Sequence, residues 1–96
     1  MRIDPGPGGV FRFSGDIGIA NLADWQKYAG DMLPADERVV IDLSRLEIRG
    51  AAVLPLLMHL VRRAAACDGS VSFTNSSVRL QQIAELSDMT GILGLR

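Results

Sequence analysis

Val39-Val40-Ile41-Asp42-Leu43-Ser44, opened by Arg38, reads as a strand with Val39, Ile41 and Leu43 on one side and Val40, Asp42 and Ser44 on the other. A strand covered by helices on both faces is apolar throughout, so one apolar face and one largely polar face place it in a sheet covered on a single side. A short connection follows, Arg45 to Ala52, and then a long apolar helix. Leu54, Leu57, Val61 and Ala64 form one stripe of that helix, with His59, Arg62, Arg63 and Ala66 opposite. Asp68-Gly69 ends it.

The alternation repeats on either side of this unit. Phe11 and Phe13 oppose Arg12 and Ser14 in Val10 to Ser14, and Val71 and Phe73 oppose Ser70, Ser72 and Thr74. Met1 to Ile3 suits a short edge strand, closed by the turn-forming run Asp4-Pro5-Gly6-Pro7-Gly8-Gly9. A first helix is expected from Asn21, whose side chain can accept from the Asp24 amide, with Leu22, Trp25, Ala29 and Met32 inward and Leu33-Pro34 at its end. A third starts at Ser77 and turns Leu80, Ile83 and Ala84 inward and Gln81, Gln82 and Glu85 outward. Ile92-Leu93-Gly94-Leu95 is expected as a last short strand. Strands alternating with helices force mainly parallel pairing, and right-handed crossovers taken in one direction put every helix on the same face. The expected fold is a single α/β domain over 1–96, with a mixed, mainly parallel sheet of four to five strands.

The chemistry inventory is thin. With 96 residues, 10 Lys and Arg against 11 Asp and Glu, and a net charge of −1, nucleic acid is a poor partner, because that affinity comes from clustered cations. The glycines at 6, 8 and 9 lack the Gly-Lys-Ser/Thr ending of a phosphate loop and precede a strand. His59 is the only histidine and Cys67 the only cysteine. On one helix they stand roughly 12 Å apart along the axis, too far to act together. Neither a nucleophile with its base nor a zinc ligand set can be assembled, and no metal or cofactor is expected. The aspartates at 16, 24, 31, 42 and 88 read as turn, cap and surface residues, and Arg62-Arg63 as a solvated face. A lone cysteine, no secretory signal and no run near the ~20 apolar residues of a membrane span lead to an expected cytoplasmic location.

The central strand Val39 to Ser44 resembles that of STAS domains, the fold shared by anti-sigma factor antagonists and the cytoplasmic domains of sulfate transporters. Phe13-Ser14-Gly15-Asp16-Ile17 is similar to that family's second strand and its Gly-acidic-aliphatic turn. Leu56-Leu57 with Leu60 matches its core helix, and Leu80, Ile83, Leu86 and Ile92-Leu93 its closing pattern. The resemblance covers Val10 to Arg96 and implies a protein-binding module, not an enzyme. In regulatory members a Ser or Thr before the second helix is phosphorylated by a partner kinase that is also the anti-sigma factor.

Here the pattern departs. Aligned without gaps from Asp42-Leu43-Ser44, the family's Asp-Ser/Thr-small-Gly falls on Gly50, Ala51, Ala52 and Val53, so the acceptor position, Ala51, bears a methyl group. Ser44 is the nearby alternative acceptor. Pro55 lacks the amide that a helix starting at Ala51 would use, so the helix is expected to begin later or be distorted. The expected partner surface is Arg49, Gly50, Ala51 and Ala52, with Asp16 nearby. Two functions follow from the resemblance: a signalling module that binds a kinase-like anti-sigma or sensory partner, and an accessory subunit docking on the ATPase of a lipid-transport ABC complex, whose runs Ile41 to Arg45 and Leu56 to Leu60 resemble.

Overall fold

Strands β1 (Arg2–Pro5) and β2 (Val10–Ile17) pair antiparallel, which sets Ile3 against Phe13. Strand β3 (Arg38–Ile48) lies parallel to β2, with Ile41 beside Phe11, and β4 (Ser70–Thr74) lies parallel to β3, with Phe73 beside Ile41. These four strands stand in sequence order in one sheet in the computed structural model of the chain, which describes residues 1–34 and 36–94. The mixed sheet and its parallel βα units match the expected fold.

Both β2 and β3 run further than expected, and β3 does so across a bulge that interrupts its alternation. Arg12 opposes Asp42, but Ser14 opposes Arg45, so β3 takes three steps where β2 takes two. Val39, Ile41 and Leu43 are buried before the bulge, and Leu46 and Ile48 after it, while Arg45 and Glu47 face solvent. The extra residue resets the alternation and keeps both halves of the strand on the same core.

Helix α1 (Leu22–Met32) lays Trp25 and Ala29 on the sheet. Trp25 is completely buried, stacked on Phe13 at 5.4 Å between ring centroids and 17° between planes. Three expectations for this helix change. Met32 is partly exposed at 37%, and Leu33, one residue on, is buried instead. Asn21 does not cap Asp24; its Oδ1 accepts from the Gly18 amide at 2.9 Å and its Nδ2 donates to the Asp16 carbonyl at 2.9 Å, pinning the preceding turn. Arg63 is not a solvated residue: its Nη2 donates to the carbonyls of Gly30 and Leu33 at 2.9 and 2.8 Å, closing the end of α1 with positive charge.

Helix α2 (Val53–Ala66) buries a stripe wider than expected: Val53, Leu54, Leu56, Leu57, Leu60 and Ala64, with Val61 only partly covered. It begins at Val53 after a single 3₁₀ turn over Gly50–Ala52, so Pro55 sits in the first turn, where its missing amide has no partner to lose. Asp68 takes the left-handed conformation, φ 58°, while the Cys67 and Gly69 amides donate to the Ala64 carbonyl. Helix α3 (Val78–Leu86) starts as expected, with the Ser77 hydroxyl accepting from the Leu80 amide at 3.1 Å. Ile92 and Leu93 are not in a strand; they belong to a short helix, α4 (Thr90–Leu93), and Leu95 lies outside the described residues. A short apolar run carries no periodicity that separates the two, and here Leu93 reaches the core as a helical residue.

Gly15 is the one strand glycine that the fold demands on two counts. Its φ is +121°, and a Cβ there would stand 3.0 and 3.1 Å from the Met1 amino nitrogen and Cα and 3.7 Å from the Trp25 ring. Gly15→Ala is expected to destabilise the chain by about 2–3 kcal/mol, read as a lower midpoint in urea unfolding at unchanged slope. A variant as stable as the parent would show that β2 relaxes there freely.

Candidate functional site

The carboxyl ends of β2 and β3 finish side by side, with Ile17 paired to Ile48, so the turns leading into α1 and α2 emerge next to each other. Two hydrogen bonds fix the first turn from below. The Asp16 carbonyl accepts from both the Trp25 indole nitrogen and the Asn21 side-chain Nδ2, each at 2.9 Å. The Arg49 amide donates to the Ile17 carbonyl at 2.9 Å and joins the second turn to the first.

Sequence reasoning placed Asp16, Arg49, Gly50, Ala51 and Ala52 at one site, and the structure brings them to this end of the sheet. Arg49 Nε stands 3.1 Å from Asp16 Oδ2, and Arg49 Nη2 3.9 Å from Glu47 Oε1. Both members of the closer pair are about half exposed or more, so the pair adds at most about 1 kcal/mol to stability. It orients the guanidinium without hiding it. Gly50 takes φ +74° with nothing within 4 Å of a Cβ, so a glycine serves the turn's conformation and not a close approach. Ala51 is exposed and Ala52 half-buried, so helix packing does not account for Ala51.

Ile19 was missed. It is 88% exposed, in the 3₁₀ turn Ile19–Asn21 beside this pair, an aliphatic side chain held in water by a well-anchored turn. The sequence signal, Gly18-Ile19-Ala20 between a strand and a helix, was there. Ile19 breaks no periodicity, which is why it passed for ordinary.

Asp42 corrects a second expectation. On the face left open by the helices it is nevertheless 8% exposed, because three neighbours close over it. Its Oδ1 accepts from the Ser44 amide at 2.9 Å and from Asn75 Nδ2 at 3.3 Å, and Arg12 Nε lies 3.5 Å from Oδ2. The Ser44 amide is the largest influence holding this carboxyl below the usual carboxylate range, helped by the Ser44 hydroxyl, Asn75 and the Arg12 charge, and opposed by burial. The group ties β2, β3 and the end of β4 together across the polar face. Ser44, the alternative acceptor, is therefore engaged with Asp42 at the bulge and stands apart from the turn at Gly50–Ala52. Among the described residues no group of three or more His, Cys, Asp or Glu side chains could hold a metal ion.

Parallel βα units over one face of a mixed sheet, with two anchored turns at the carboxyl ends of its strands, define a one-sided α/β domain. The family model described as Mlab, STAS domain matches residues 5–95, and the chain belongs to the STAS family. Among solved structures it is similar to the anti-sigma factor antagonist SpoIIAA in its unphosphorylated form, with a TM-score of 0.71 and 13% sequence identity over 99% of this chain and 84% of that one. At that identity the likeness is one of fold. No curated protein matches the chain.

A folded pKa below the unfolded value means that Asp42 contributes fully above pH ~4 and loses its contribution as pH falls through the folded value. The stability gap between the parent and Asp42→Asn in urea is accordingly expected to be widest near pH 7 and to close toward pH 2. A gap that does not change with pH would show that the charge of Asp42 plays no part.

Proposed function

We propose that this chain is a non-catalytic STAS interaction module, and that its partner surface is the paired turns carrying Asp16, Ile19, Arg49, Gly50, Ala51 and Ala52. The observation that supports this best is the exposure of Ile19 and Ala51 on turns that are otherwise tightly anchored. An anchored backbone presenting apolar groups and one oriented guanidinium suits a fitted protein contact, since little freedom is lost on binding.

The usual control is missing from this surface. Residues 45–53, Arg-Leu-Glu-Ile-Arg-Gly-Ala-Ala-Val, contain no hydroxyl, so a shift of one residue across the bulge still sets none at the acceptor position. In relatives that carry Ser or Thr there, phosphate adds nearly two negative charges and breaks the contact by repulsion and desolvation. With a methyl group at Ala51 the contact is constitutive, or is governed by the amount of partner present. The partner is a protein, a kinase-like anti-sigma factor in the first instance, and an ABC transporter ATPase is the other outcome that copurification would reveal. No helix among the described residues is long and apolar enough to cross a membrane.

Three variants test the surface. Arg49→Glu and Ile19→Asp are each expected to lower capture of the copurifying partner about tenfold, equivalent to about 1.4 kcal/mol, with unfolding midpoints close to the parent's. Ala51→Glu, which sets a negative charge where phosphate would sit, is expected to do the same. Full capture by all three would remove the turns from the interface. Mass spectrometry after incubation with the copurified ATPase is expected to find the chain unphosphorylated. Phosphate on Ser44 would mean that control had moved to the bulge.

A further inference from the structure

Beside Ala51 a groove of about 480 Å³ opens along α2, and it is continuous with the proposed partner surface because Ala51 lines both. Its apolar floor is Leu54, Pro55 and Met58 from α2, with Met89 brought in from the connection between α3 and α4. Pro55, Met58 and Arg62 recur at intervals of three and four, so they form one stripe about 10 Å long. Gln26 and Ser87 complete the lining, and His59 and Arg62 lie farther along α2 from Ala51.

Charge decides what fits. Arg49 already faces Asp16 and Glu47, whereas Arg62 has no ion pair among the described residues, and no carboxylate lines the groove. The unbalanced cation of this surface is therefore Arg62, in a row that reads from sequence as a plain solvated face. The walls decide the form of the occupant. Gln26 from α1 and Leu54, Pro55, Met58, His59 and Arg62 from α2 make up most of them and no strand contributes, so an extended segment would find no strand edge to bond with. A helix arrives with its backbone satisfied and needs only apolar side chains at intervals of three and four.

We propose that this groove takes an acidic amphipathic helix of the partner protein, two to three turns long, with its apolar stripe on Leu54, Pro55, Met58 and Met89 and a carboxylate on Arg62. This rests on the interaction-module reading above and names the partner segment that adjoins the same turns.

The test uses the full chain, labelled with ¹⁵N, and two cross-linked helical peptides of 14 residues. Both carry Leu at positions 4, 8 and 11; one has Glu and the other Lys at the remaining polar positions. The acidic peptide is expected to shift the amides of Leu54, Met58, Arg62 and Met89 and to bind at least tenfold more tightly than the basic one. Arg62→Glu should reverse that preference while keeping the parent's spectrum elsewhere. Equal binding of the two peptides, shifts confined to the sheet, no binding at millimolar peptide, or laurate filling the groove at lower concentration than the acidic peptide would each overturn the inference. Partner capture that depends on Arg49 and Ile19 but is untouched by Arg62→Glu would overturn it alone and leave the turn surface standing. The converse pattern would remove the turns and keep the groove.

Discussion

Trp25 is the residue on which the site depends. Its ring, completely buried, stacks on Phe13 and so fastens α1 to β2, while its indole nitrogen reaches past the ring to the Asp16 carbonyl. Stacking of this kind adds about 0.5–1.5 kcal/mol beyond the burial of area, and a buried indole left without an acceptor would cost a comparable amount. The same side chain therefore sets the helix on the sheet and fixes the backbone of the turn above it. Tyr28 extends the arrangement one turn along α1: its ring lies 6.4 Å from that of Trp25 and its hydroxyl accepts from the Ile3 amide, so the edge strand is held by the same helix face.

Polar groups divide into two kinds by where they stand. Asp42 is enclosed, with its oxygens engaged by Ser44, Asn75 and Arg12. A carboxylate in that position destabilises the sheet unless its oxygens are engaged, and here Oδ1 accepts two hydrogen bonds while Oδ2 faces the Arg12 guanidinium. Asp16 and Arg49 are the opposite case. Their charges face water, add little to stability, and remain able to meet a second molecule. An enclosed network that clasps three strands thus leaves the neighbouring end of the sheet free to present loosely paired charge on a stiff frame.

Much of this was legible in advance, where a local rule and the tertiary environment agree. Val10 to Ser14, Arg38 to Ser44 and Ser70 to Thr74 alternate and are strands; Leu80 and Ala84 repeat at helical spacing and are buried. Ser77 caps as its type suggests, its hydroxyl accepting from the Leu80 amide. Illegible were the features set by a competing partner close by or by one distant in sequence. Asn21 turns back to Gly18 and Asp16 and does not serve its own helix; Arg63 finds carbonyls 30 and 33 residues away. Asn75 helps to close over Asp42, and Met89, from the far end of the chain, is part of the lining of the groove beside Ala51. The family resemblance located the turn at Gly50 but carried no information on Ile19, whose prominence comes from the anchoring of its neighbours.

The extra residue in β3 has a consequence for how this chain can change. Between Leu43 and Leu46 the core positions are three apart where an unbroken strand would have them two or four apart. Removing one of Ser44 and Arg45 would set Leu43 and Leu46 two apart, the spacing of an unbroken strand, and so would leave Leu46 and Ile48 on the core side. The loss would fall instead on the hydrogen bond that the Ser44 amide donates to Asp42 at the bulge. Over these few positions the burial pattern admits both lengths, and the enclosed carboxylate favours the longer one.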